Sequence, residues 1–363
     1  CIQDHTGITV ETPWMTAKLN HNGQFTQLYD KNTEREVLQA KEYGNRLILF
    51  EDMPIYYNDA WDIAGYYDEK SWFPEPDSDI VIVENGDVRT VLRTKLKTSK
   101  SMIVQDIIFY EMQTRIDFVT NVSWNERFAM LKVEFPVNIH ADMAAFEIQF
   151  GHLKRPTYQN TSWEAAKFEV CGHKWADISQ EDYGVSLLND CKYGYDIKDG
   201  RMRLTLLKAP EYPDSESDQG EHHFIYSLYM HEGRLEESST VKQGYLLNNE
   251  LIAVTQAPQT GTFPENYSLV NIDSDHVIIE SVKLSEDKNG IIVRLYEAFN
   301  RSGAVKLHTK MKCYKVYECS LLEQKENELF CEEGIVRFQI QPFEIKTFYF
   351  ETDKTSGINS IIF

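Results

Sequence analysis

Cationic side chains are scarce in this chain: 37 Lys and Arg stand against 57 Asp and Glu over 363 residues, a net charge of -20. Such a surface repels nucleic-acid phosphates and anionic lipid headgroups and argues against both as partners. Long apolar runs are missing too. No stretch approaches the ~18 residues needed to span a bilayer, so no membrane partner is expected. The opening residues, CIQDHTGITVETPW, lack the basic segment and apolar core of a secretory leader. They also lack an initiator Met, as expected of a chain cut from something longer. Six cysteines (Cys1, Cys171, Cys191, Cys313, Cys319 and Cys331) form no CxxC pair and are too sparse for a disulfide scaffold. Reduced thiols in a cytoplasmic protein are the expectation, with a disulfide among the last three as the alternative. Gly and Pro are few, which excludes long disordered linkers.

What the chain has in quantity is aromatic residues, 20 Tyr, 19 Phe and 6 Trp, which favour strands over helical bundles. RLILFED, SDIVIVENG, MIVQDIIFY and AMLKVEFPV are short apolar alternations punctuated by Gly, Asp, Asn or Ser. Within Thr114 to Val122, Ile116, Phe118, Thr120 and Val122 fall on one face and Arg115, Asp117 and Asn121 on the other, the period of a sheet with one wet side. Asn85-Gly86-Asp87 and Lys198-Asp199-Gly200 sit where hairpins must turn. TSWEAAKFEVCGHKW holds a single helical turn at most, and no long amphipathic helix is present. The polar stretch HEGRLEESSTVKQGYLLNNE separates two strand-rich regions. The chain therefore reads as all-β, a large antiparallel sandwich over residues 1–240 and a small β-sandwich over 241–353, with a tail at 354–363.

Candidate chemistry narrows quickly. GxSxG, phosphate loops and the dinucleotide fingerprint are absent. His140-Ala141-Asp142 has metal-ligand spacing but no evident third ligand nearby. His222 and His223 are adjacent on a strand and face opposite ways. Cys171-Gly172-His173 carries no signature of a thiol nucleophile. What remains is carboxylates among aromatics, the pattern of sugar-handling sites. One cluster lies in YYNDAWDIAGYYDEKSWFPEP, with Asp59, Asp62, Asp68 and Glu69 around Trp61. A second combines Asp177, Asp182, Asp190 and Asp196 with Trp175, Tyr183, Tyr193 and Tyr195. Acids are so abundant that most must simply solvate the surface.

The runs GNRLILFEDMPIYYNDAWDI, FGHLKRPTYQNTSWEAAKFEVCGHKWADIS, YGVSLLNDCKYGYDIKDGRMRLTLLKAPEYPD and PFEIKTFYF, in that order, resemble the C-terminal β region of glycoside hydrolase family 38 α-mannosidases, in their cytosolic or bacterial branch. The likeness covers about residues 7–351. It implies a supersandwich of the galactose-mutarotase-like type for the large unit. It also implies a zinc-dependent, retaining enzyme whose zinc ligands and aspartate nucleophile lie on an N-terminal catalytic domain of the same polypeptide. No catalytic residue and no zinc are then expected on these 363 residues. His140-Ala141-Asp142 shares the family's zinc motif only in spacing.

In Golgi-type members a tyrosine of one β-region loop and an arginine of another contact the sugar. By position these loops match NDAWD and NDCKYG, which proposes Trp61 with Asp59 and Asp62, and Lys192 with Asp190, as substrate-binding residues. An aromatic is expected directly before Asp-Ala-Trp-Asp, yet Asn58 follows Tyr57 here. Mannosides are the expected ligands, and homo-oligomerisation stays open. Two other functions compete: a stand-alone carbohydrate-binding module stacking sugars on Trp61 and Trp175, and an aldose mutarotase, for which no convergent His and Glu pair is evident.

Overall fold

The computed structural model describes residues 1–5, 7–53, 59–257, 260–261, 264–311 and 315–351. All strand pairing among them is antiparallel, and they divide into two compact units, Cys1–Glu147 with Leu153–Glu250, and Ile148–His152 with the residues from Leu251 onward. The all-β expectation holds. The described helices are short: Ser162–Ala165, Thr240–Asn248 and two single 3-10 turns.

The first unit holds three sheets. A five-stranded meander is formed by the first strands, from Ile2–Asp4 to Arg35–Glu36. A nine-stranded sheet has Trp175–Ser179, Tyr183–Asn189, Gly220–Glu232 and Arg115–Trp124 at its middle and Glu75–Asn85 at one edge. A six-stranded sheet centres on Arg201–Leu207, Ala129–Pro136 and Arg46–Glu51. One apolar core is shared by all three: Val10 and Phe25 from the meander, Phe118 and Tyr226 from the nine strands, Leu131 and Phe135 from the six. The Phe118 ring stacks on Tyr226 with centroids 4.8 Å apart and lies 5.6 Å from Phe135. The Lys198–Gly200 hairpin turns through two left-handed residues, Asp199 at φ 48° and Gly200 at φ 75°, as its sequence predicts.

The outer faces are drier than the alternation suggests. Ile116, Phe118, Thr120 and Val122 do face the core, but Asp117 on the opposite face is also buried. Its carboxylate accepts a hydrogen bond from Ser227 Oγ at 2.6 Å and lies 2.8 Å from Arg115 Nε. Arg115 in turn donates to Gln243 of the helix Thr240–Asn248, 3.0 Å away. That helix lies within the polar stretch expected to divide the chain. Its Thr240 hydroxyl meets Ser186 Oγ at 2.7 Å, and Asn248 donates to the Asn189 carbonyl at 2.9 Å. Apart from the short segment Ile148–His152, the second unit begins at Leu251, so this helix belongs to the first unit.

The second unit is a sandwich of a four-stranded sheet led by Gly303–Thr309 and Ile335–Ile340, and a five-stranded sheet led by Gly290–Glu297 and Ile345–Glu351. Val293, Leu295, Val305, Leu307, Val336 and Phe348 fill its core.

Candidate functional site

The Trp61 loop is tied to the chain segment that follows the strand Arg201–Leu207. Asp59 is buried, and its two carboxylate oxygens accept the main-chain amides of Glu211, at 2.5 Å, and Tyr212, at 3.0 Å. The Lys208 ammonium donates to the carbonyls of Asp59 and, at 2.6 Å, Asp62, and stands 3.2 Å from the carboxylate of Asp52. Asp52 is 2% exposed. Burial pushes its carboxyl above the ordinary range, and Lys208 works against that rise. Asp62 caps its own loop through Ile63 N at 2.9 Å. Between these fixed points Trp61 is left 70% exposed. Met53, Tyr66, Phe128 and Tyr212, all exposed, share this rim: the Tyr66 hydroxyl donates to Met53 O, and Asp52 N to Phe128 O. Asn58 and Tyr57 lie outside the described residues.

Further along, the same loop is anchored on the outer face of the six-stranded sheet. Tyr67 is buried against Phe50, with centroids 5.2 Å apart, and donates to Asp196 Oδ2 at 2.9 Å. Lys132, fully buried, donates to the Tyr67 hydroxyl at 3.2 Å and pairs with Glu169. Beside it the buried Glu134 is bracketed by Arg46, Arg201 and Arg203. Burial alone would raise the Glu134 pKa, but the arginines hold it below the ordinary value. Asp68 reaches Arg203 at 3.1 Å.

The NDCKYG turn is separate. Asp190 accepts from Ile225 N at 3.0 Å, and Lys192 lays its ammonium 4.6 Å from the centre of the Phe224 ring. No hydrogen bond or ion pair joins this turn to the Trp61 loop among the described residues. The structure therefore brings Asp59, Trp61 and Asp62 together, and Asp190 and Lys192 together, as two groups.

Most of the second acid and aromatic cluster belongs to the interior. Trp175, Tyr183 and Tyr195 are at most 1% exposed, so Trp175 offers no stacking platform. Asp177 pairs with His231 at 2.8 Å, and Asp196 serves Tyr67 and Arg203. His222 meets the Asp218 carbonyl and His223 the Asn121 side chain, each at 2.8 Å. Among the described residues no three His, Cys, Asp or Glu side chains converge on a metal site, so His140 and Asp142 do not fit zinc. The described cysteines are free, and Cys313 lies outside them. Lys208 and Asp52 escaped sequence reasoning. Lys208 is a lone cation after an apolar run, and nothing local links it to residues nearly 150 positions earlier.

Residues 10–216 match the model of the glycosyl hydrolases family 38 C-terminal domain, and residues 276–348 that of the family 38 C-terminal beta sandwich domain. The chain belongs to glycosyl hydrolase family 38, as part of its C-terminal region. It is 38% identical over 353 residues to Alpha-mannosidase G of Dictyostelium discoideum, covering 94% of this chain and 32% of that protein. To Alpha-mannosidase 2C1 of Mus musculus it is 34% identical over 349 residues, 94% of this chain and 33% of that protein. It spans about a third of the length of these curated relatives. The crystal structure of an alpha-mannosidase from Enterococcus faecalis superposes with a TM-score of 0.77 at 18% identity, over 96% of this chain and 42% of that one, and shares its fold.

Proposed function

We propose that this chain is the C-terminal β region of a zinc-dependent, retaining α-mannosidase that hydrolyses terminal α-mannosides, and that it completes a substrate cleft built mainly by an N-terminal catalytic domain. One observation carries this reading: 94% of the chain aligns with two α-mannosidases three times its length, at 38% and 34% identity. Nucleophile and zinc belong, in this reading, to the catalytic domain, and cleavage proceeds by double displacement through a glycosyl-enzyme intermediate. The chain's own part is positioning. Asp59 and Lys208 hold the rim loop, Trp61 offers an apolar ring face to a sugar, and Asp62 supplies an acceptor for its hydroxyls. Asp190 fixes the second turn, from which Lys192 reaches toward substrate. A cytoplasmic location agrees with the exposed free thiols of Cys171 and Cys191.

An aryl α-mannoside assay tests the reading. The 363-residue chain should show no turnover with or without zinc. The polypeptide carrying the catalytic domain should be active and should lose turnover, but not zinc, on Trp61→Ala. Zinc-dependent hydrolysis by the chain alone would overturn the proposal. A stand-alone binding module has Trp61 in its favour, but the burial of Trp175 removes half of its platform.

A further inference from the structure

The His140-Ala141-Asp142 segment has no role in the reading above, yet it lines a cavity of about 460 Å³ in the first unit, inside the range of about 300–1,000 Å³ usual for small-molecule sites. Four chain segments wall it: Val137–Asp142, Thr157 and Tyr158, Asp199 and Gly200, and Gln39. Their main chains are stitched together. Val137 N donates to Gly200 O at 2.8 Å, Asn138 N to Val37 O at 2.8 Å and Thr157 N to Asp142 O at 3.0 Å. Thr157, itself buried, donates through Oγ1 to Ala141 O at 2.7 Å, and Gln39 Nε2 donates to Asp199 O at 2.9 Å. Gly200, at φ 75°, lies so close to the wall that a Cβ there would stand 2.7 Å from Val137 O and from Gln39 Nε2. A larger residue could not make this turn without displacing the wall.

This frame uses main-chain groups and two side chains and leaves others over. The side chains of Asn138, His140, Asp142, Tyr158 and Asp199 form no hydrogen bond or ion pair among the described residues, and all five border the one cavity. They comprise a carboxamide, an imidazole, two carboxylates and a phenol whose residue is 39% exposed. The geometry is therefore that of a fixed frame whose rim presents five exposed polar side chains, open to a ligand, around one cavity.

The chemistry of those groups selects the ligand. An anion would meet two carboxylates and a net charge of -20. A metal ion lacks a converging set of three ligands among the described residues. A neutral polyol suits the site: vicinal hydroxyls donate to Asp142 and Asp199, accept from Asn138 or His140, and an apolar sugar face rests on the Tyr158 ring. We propose that this cavity is a saccharide-binding site, separate from the Trp61 loop, that holds a neutral oligosaccharide. Mannose oligomers as its particular ligand rest on the α-mannosidase reading, whereas the site itself does not.

Calorimetric titration of the 363-residue chain with α-linked mannobiose and mannotriose, with gluco-oligosaccharides and spermidine in parallel, tests this. Saturable mannotriose binding is expected, weakened about tenfold or more by Tyr158→Ala and by Asp142→Asn, a factor worth about 1.4 kcal/mol each. Thermal melts check that both variants stay folded, and Asp199→Asn, on an exposed turn, provides a further variant should either fail. Binding of gluco-oligosaccharides alone, with the same sensitivity to these variants, would support the site and count against the mannosidase reading. The proposal is overturned by a folded chain that binds no saccharide, by binding indifferent to the cavity variants, or by binding lost in Trp61→Ala but kept in Tyr158→Ala. Spermidine binding without saccharide binding would overturn it as well.

Discussion

Lys208 shows how one side chain can organise a loop far from it in sequence. Its ammonium pairs with the buried Asp52, the only cation to do so among the described residues, and it also gathers the carbonyls of Asp59 and Asp62. Removing one partner of a buried pair leaves the other charged and unsolvated, at a cost of about 3–5 kcal/mol. Lys208→Met should therefore lower unfolding stability by about 3 kcal/mol in urea titration, and adding Asp52→Asn should restore much of it. Equal loss in the single and double variants would show that Lys208 acts through the carbonyls alone. None of this is legible locally. The acids around Trp61 announce themselves as a cluster, but whether a carboxylate meets substrate or a backbone amide depends on which segment folds against it. For Asp59 that segment is Glu211 and Tyr212.

Strand patterning was legible because the side-chain period is a property of the backbone. Ile116, Phe118 and Val122 face the core as their spacing requires. What the period cannot say is whether the other face meets water. Asp117 and Asp177 look like solvated acids in sequence, yet both are buried on the outer side of the nine-stranded sheet, where the helix Thr240–Asn248 packs. Close packing there leaves no room at Gly184 in the strand Tyr183–Asn189. A Cβ would fall 2.2 Å from His231 Cε1 and 2.5 Å from Ser179 Oγ. Gly184→Ala should cost about 1–3 kcal/mol, as overpacking does, with a matching fall in the thermal midpoint. An unchanged midpoint would mean that the His231 ring can move aside. The helix itself was hidden because its segment is short and mostly polar: its buried side is only Thr240, Val241, Gly244 and Leu247, and Thr240 and Asn248 add hydrogen bonds to the sheet.

For the molecule as a whole, the buried ion pairs set the response to pH. Burial opposes charging of His231, but the Asp177 carboxylate lifts its pKa above the ordinary value. A raised folded-state pKa contributes stability that is full below the unfolded value of about 6.5 and is lost as pH rises through the folded one. Glu134 acts in the opposite sense: its lowered pKa contributes stability above the ordinary glutamate range, lost as pH falls through the folded value. Denaturation midpoints plotted against pH should decline on both sides of an acidic-to-neutral plateau. His231→Gln should flatten the alkaline-side decline and leave the acid side in place. A wild-type profile without the alkaline-side decline would remove His231 from this account.

The sequence by itself determined the strand-rich architecture, the family, and the acidic surface that turns away polyanions. These follow from period, composition and long runs of matching residues, all of which are local or additive. Only the tertiary structure decided that Asp59 clamps a loop while Trp61 stays open, that Trp175 is core, and that Lys132 and Glu134 lie fully buried. It also gathered His140, Asp142, Tyr158 and Asp199 around one cavity. Each of those outcomes depends on contacts between residues remote along the chain, and such contacts leave no periodic trace in a single sequence.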